Sequence, residues 1–176
     1  MIHHVSIPAR EPRHVAAVLA EVMGGKSYPF GPLDGAFMAV ARDGHSAMIE
    51  VYPEDAVLTF AGEQPAIFDK SPQPARAHAF HLLLEVPLER EEIERIGARE
   101  GWRTRLFGRG VPGREPFFHV IEFWVENRLM VEVATPAMAA EYQAFIRNAN
   151  PEALDAAELR AMRDSHLRQP AAASAP

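Results

Sequence analysis

From His4 onward the chain alternates, with Val5 and Ile7 on one side and His4 and Ser6 on the other, the period of two that a strand packed on one face requires. At Pro12 the period changes. Val15, Val18, Leu19 and Val22 recur at helical spacing between Pro12 and the pair Gly24-Gly25, which predicts a helix over 12–23. A short strand around Tyr28 and Phe30 then leads through a loop with Gly31, Pro32 and Gly35 to apolar runs at 37–41 and 47–52. Asp43-Gly44 between those runs is a hairpin signal. Residues 1–53 therefore read β-α-β-β-β. Residues 54–77, with Pro65, Pro72 and Pro74, lack sustained periodicity and read as a connection holding one short strand at 56–60.

The same order then returns. Residues 79–86 form a strand pattern, 88–100 a helix with Ile93 and Ile96 at helical spacing, and 102–107 a short strand. Runs 117–125 and 129–134 flank a turn at Glu126-Asn127-Arg128 and close a second β-α-β-β-β module over 78–135. A duplicated unit should put the same side-chain types at corresponding points. His4 and His81 open the two modules, and Met48-Ile49-Glu50-Val51 and Met130-Val131-Glu132-Val133 end them. The second copy is longer by a few residues, which the loop 108–113 is expected to hold. The fold class is α+β: paired modules building one cupped, eight-stranded mixed sheet.

Thr135-Pro136 and Asn150-Pro151 each place an N-cap residue before a proline at the first helical position, predicting helices over 136–148 and 151–166 within a C-terminal extension, 136–168. Ala140 and Phe145, and Leu154, Leu159 and Met162, give these helices apolar faces for the sheet or a second subunit. Residues 169–176 are Ala, Ser and Pro with one preceding Gln, and read as a disordered tail.

Composition narrows the chemistry. The 176 residues carry a net charge of -6, which disfavours nucleic acid and anionic membrane, and no run approaches the apolar length of a membrane span. A cytoplasmic protein is expected. With no cysteine there is no thiolate site, so any metal chemistry must use His, Asp and Glu.

Alternation supplies such a set. His4 lies opposite Val5 and Ile7, Glu50 opposite Ile49 and Val51, His81 opposite Leu82 and Leu84, and Glu132 opposite Val131 and Val133. If both modules share one curved sheet, two imidazoles and two carboxylates point into one concavity, a donor set suited to a divalent ion such as Zn, Ni, Mn, Co or Fe. His3 competes with His4 and His78 with His81, while His119 is a further candidate ligand. His45 reads as a turn residue, and His14 and His166 as surface. The same parity places Ser6, Met48, Tyr52 and Leu83 in the lining for a small-molecule substrate, with Phe37 and Phe123 as further members. Glu122 can replace Phe123 and His119 if the register shifts by one, and Glu85 shares the parity of His81.

With His4-Val5-Ser6-Ile7-Pro8, Ile49-Glu50-Val51 and Val131-Glu132-Val133 in this order, residues 2–135 resemble the vicinal oxygen chelate superfamily, which includes glyoxalase I, fosfomycin-resistance proteins, extradiol dioxygenases and bleomycin-binding proteins. The resemblance implies a metal in the cup and pairing of subunits into a homodimer. A two-His, two-Glu set is more like glyoxalase I and implies a lyase or isomerase acting through a metal-stabilised enediolate, with Glu132 or Glu50 as general base and Glu132 favoured. An extradiol-type ferrous dioxygenase would need His4, His81 and Glu132 alone. A bleomycin-binding kind of protein would sequester its ligand without catalysis. Two departures stand out: Glu126-Asn127-Arg128 replaces the usual Asp-Pro-Asp-Gly turn, and Pro8 stands where many glyoxalases carry a basic residue.

Overall fold

The computed structural model describes residues 4–42, 47–61, 64–71, 80–111 and 113–148. In the first module β1 (His4–Ala9) is followed by α1 (Pro12–Val22), β2 (Lys26–Pro29), β3 (Phe37–Val40) and β4 (Met48–Pro53). β1 and β4 are parallel and the remaining pairs antiparallel, in the order β1-β4-β3-β2. The helical stripe read from sequence is the face that packs: Val15, Val18, Leu19 and Val22 are buried, against Ile7, Ile49 and Val51 of the sheet.

A hairpin, β5 (Ala56–Ala61) and β6 (Gln64–Lys70), occupies most of the segment expected to be an irregular connection. The first strand stands where one was expected at 56–60, while Pro65 and uneven polarity hid the second. The other module then repeats the first, with β7 (Leu82–Glu85), α2 (Arg90–Glu100), β8 (Thr104–Arg109), β9 (Phe118–Val125) and β10 (Leu129–Ala134) in the order β7-β10-β9-β8. The duplication extends to register. Ser6 pairs with Glu50 across the parallel ladder of the first module, and Leu83 with Glu132 across that of the second.

Two expectations change. The eight strands of the two modules form two four-stranded sheets rather than one hydrogen-bonded sheet. The extra length of the second copy is not confined to 108–113: β8 and β9 have six and eight residues where β2 and β3 have four each. The expected turn at Asp43-Gly44, the helix at 151–166, the tail, and His3, His45, His78 and His166 lie outside the described residues. Among the described residues no helix is long and apolar enough to cross a membrane.

α2 closes on Gly101, whose φ of 67° is the left-handed cap conformation that glycine adopts without steric cost. Gly97, an unfavourable helix residue in isolation, lets α2 approach β8: a Cβ there would lie 1.9 Å from Thr104 Oγ1. One hydrophobic cluster runs through both modules, joining Leu19 and Val22 of α1 to Ile93, Trp102, Phe123 and Val131.

Polar contacts reinforce that junction. Arg99 on α2 bonds both carboxylate oxygens of Glu21 on α1, at 2.9 and 2.6 Å, and His14 Nε2 lies 2.6 Å from Glu100 Oε2. His14 is exposed, as expected of a surface residue, and also bridges the junction. The β9–β10 turn also reaches across. The turn spans Glu126, Asn127 and Arg128 between the paired Val125 and Leu129, and Glu126 and Asn127 both have positive φ, 50° and 54°. Glu126 accepts from the backbone N–H groups of Arg10 and Glu11, each at 2.9 Å, while Asn127 bonds Arg103 N and Gly101 O. The N-cap residue of α1, Glu11, makes no side-chain cap hydrogen bond, so the acceptor for the backbone N–H groups at the helix entry comes from the other module.

α3 (Pro136–Asn148) begins after Thr135, whose Oγ1 accepts from Met138 N. Phe118 packs on Tyr142 and Phe145, and Phe117 stacks on Phe145, so the apolar face read at Phe145 is spent on the sheet.

Candidate functional site

Each module presents one face to its helix and the opposite face to the candidate site. The ladders fix which residues share that second face. In the first module they are His4 with Met48, Ser6 with Glu50 and Met38, and Pro8 with Tyr52. In the second they are Leu83 with Glu132, Glu122 and Arg105, and Met130 with Trp124. Alternation along β8 adds Phe107 and Arg109. Ser6, Met48, Tyr52 and Leu83 thus occupy the face expected of them.

Phe37 and Phe123 do not. Phe37 pairs with the buried Val51 and packs on the core, and Phe123 is fully buried against Trp102, at 5.6 Å between ring centroids. Both stand one residue out of phase with the site, where Met38 and Glu122 take their places. His119 is also engaged elsewhere, its Nδ1 3.0 Å from Glu141 Oε2 on α3.

On the first sheet the site is built around Glu50, 5% exposed and one of two buried polar residues recorded for the described chain. Its Oε2 accepts from Tyr52 OH at 2.5 Å and Ser6 Oγ at 2.9 Å. Tyr52 in turn sits between Phe30 and Phe68, whose ring centroids lie 5.7 and 5.2 Å away, so the β5–β6 hairpin contributes directly to this wall. Burial, and then the bond to Glu50, push the Tyr52 phenol above its ordinary range. His4 Nε2 is 4.0 Å from Glu50 Oε1, with the imidazole half exposed.

The second sheet is organised differently. Arg109 donates to Glu132 Oε1 from Nε at 3.0 Å and from Nη2 at 2.6 Å, and the same Nη2 reaches Glu122 Oε1 at 2.9 Å. Trp124 Nε1 donates to the other Glu122 oxygen at 3.1 Å. Partial burial opposes the Arg109 charge, but the bonds to Glu122 and Glu132 outweigh it and raise its pKa. The guanidinium also lies 5.9 Å from the Phe107 ring centroid, with Arg105 on the same ring at 5.3 Å.

The two carboxylates that correspond in the repeat are therefore held in unlike ways: Glu50 by neutral hydroxyls, Glu132 by a permanent cation. His4 and Glu50 approach each other, His81 is exposed just before β7, and Glu132 is committed to Arg109. Among the described residues no group of three or more His, Asp or Glu is placed to hold a metal ion, so the quartet His4, Glu50, His81 and Glu132 does not fit one as arranged. Arg109 escaped the sequence reading because its strand was ended at Phe107. Continuing the alternation Arg105, Phe107, Arg109 by one step would have put it on the face of Glu132.

No protein-family model matches the chain, and no curated protein matches it.

Proposed function

We propose that the chain is a two-module protein of the vicinal oxygen chelate type that binds and sequesters a small oxygenated organic molecule, with its two four-stranded sheets acting as halves of one cup. The repeated β-α-β-β-β order and the matched registers of Ser6–Glu50 and Leu83–Glu132 support the kinship. The observation that carries the binding reading is the pairing of Arg109 with Glu132, which places a fixed guanidinium on the carboxylate that a metal-dependent enzyme of this kind would need. Met48, Tyr52, Leu83, Met130 and Trp124 offer apolar and aromatic surface. Glu50, Ser6 and Arg109 offer the few polar groups that orient a ligand.

Trp124 is partly exposed on this face, whereas Trp102 is buried, so Trp124 fluorescence reports occupancy. Titration of the full chain with small oxygenated aromatics, catechol and benzoate among them, should reveal a saturable emission change that persists in EDTA and disappears in Trp124→Phe. A change abolished by EDTA and restored by a divalent ion would overturn the reading.

The second reading is the metal-dependent lyase or isomerase, favoured by the 4.0 Å approach of His4 to Glu50. It requires Arg109 to release Glu132, as does a ferrous dioxygenase using His4, His81 and Glu132. If proton transfer occurs at this site, Glu50, held by neutral groups, suits a base better than Glu132 beside a guanidinium.

A further inference from the structure

The duplication places two related clefts between the modules, each where the end of one module's first strand meets the last hairpin of the other. In one, Pro8 at the end of β1 meets Leu129 and Arg128 of the β9–β10 hairpin. Arg128 Nη1 bonds Glu54 Oε2, and the cleft is reduced to about 10 Å³. In the other, the end of β7 meets Ala41, Arg42 and Ala47, which flank the β3–β4 connection, and the space is about 460 Å³. That is the size range of a small-molecule site.

The open cleft has its own chemistry. Met23, Leu84 and Pro87 give it an aliphatic wall, and Arg42 and Glu85 both line it. No ion pair joins these two charges, and neither has another among the described residues. Elsewhere along the junction such charges are matched: Arg10 with Glu126, His14 with Glu100, Arg99 with Glu21, Arg128 with Glu54. One copy of the cleft thus has its opposite charges paired, while the other is lined by a cation and an anion that form no ion pair with each other, beside an aliphatic wall.

We propose that this cleft binds a small aliphatic zwitterion of the free α-amino acid class, its carboxylate on Arg42, its ammonium on Glu85 and its side chain against Met23, Leu84 and Pro87. The ligand would complete between the modules the charge bridge that Arg128 and Glu54 make within the opposite cleft. This cleft lies at the module junction at the end of β7 and is lined by neither Glu50 nor Glu132, and its existence does not depend on the function proposed for those residues.

Calorimetric titration of the full chain at neutral pH with L-leucine tests it, alongside isocaproate, which lacks the ammonium, and isopentylamine, which lacks the carboxylate. Leucine should bind saturably at one site per chain, and each single-charge analogue about tenfold or more weaker. Arg42→Gln and Glu85→Gln, both at exposed positions, should each weaken leucine about tenfold or more without moving the melting temperature, while Glu54→Gln at the sealed cleft leaves leucine affinity unchanged. No saturable binding up to about 10 mM leucine, equal binding of isocaproate, or indifference to both Arg42→Gln and Glu85→Gln would overturn the proposal.

Discussion

At the scale of single residues, the contrast between Glu50 and Glu132 is the most informative feature of the chain. They lie on corresponding strands and share a register, yet one is fixed by Ser6 and Tyr52 and the other by Arg109. A buried carboxylate is tolerable only when its oxygens are hydrogen-bonded, so the hydroxyls have a structural as well as an orienting role. Tyr52→Phe removes the shorter of these bonds and should lower unfolding free energy by about 1–2 kcal/mol in urea. The same variant isolates the Tyr52 titration. Of three tyrosines, the one lost in Tyr52→Phe should ionise above the ordinary value of 10.0 when phenolate absorbance is followed with pH. Ionisation at or below that value would contradict the geometry at Glu50.

At the scale of elements, each helix and strand needed something different to be recognised. α1 was legible because Val15, Val18, Leu19 and Val22 mark one stripe and Pro12 marks its start. What stabilises that start was not legible, since the carboxylate capping it belongs to Glu126, more than a hundred residues away. Glu126→Ala should therefore destabilise the protein by about 1–2 kcal/mol, with amide exchange accelerating first around Arg10 and Glu11. Exchange changes confined to the β9–β10 turn would contradict a cap supplied across the junction. Strand parity behaved similarly. It put Ser6, Met48, Tyr52 and Leu83 on the faces of Glu50 and Glu132, where the registers have them, because the parallel ladders keep phase with those glutamates. It misplaced Phe37 and Phe123, because β3 and β9 are antiparallel neighbours whose register depends on the turn that joins them. Aromatic side chains suit a pocket and a core equally well, so residue type could not decide the phase.

At the scale of the whole molecule, two copies of one module are joined by a shared core and by charges between their helices. Arg99 bonds lower the Glu21 pKa. Burial pushes Glu100 upward, but bonds from Arg99 and His14 outweigh it and leave its pKa lowered as well. Both carboxyls then sit below their ordinary value of 4.5 in the folded state, so the stability they contribute is complete above that pH and is lost as pH falls through the folded values. The urea midpoint should decline below pH 4.5, and Arg99→Ala should flatten part of that decline. The effect should be modest and salt-sensitive, because Arg99 and Glu21 are well exposed. An unchanged acid limb in Arg99→Ala would remove these carboxyls from the account.

The repeat itself was visible in sequence at this scale, but whether its four candidate ligands converge was not. Convergence depends on how Arg109 reaches from β8 across β9 to Glu132 on β10, a contact with no local signature. The stoichiometry of divalent metal on the full-length chain, after equilibrium dialysis against nickel, zinc and manganese in turn, tests the assignment of Glu132 to Arg109 most directly. The account predicts no tight site formed with Glu132 and no difference between the wild type and Glu132→Gln. One equivalent of metal retained by the wild type and lost in both His4→Ala and Glu132→Gln would contradict it.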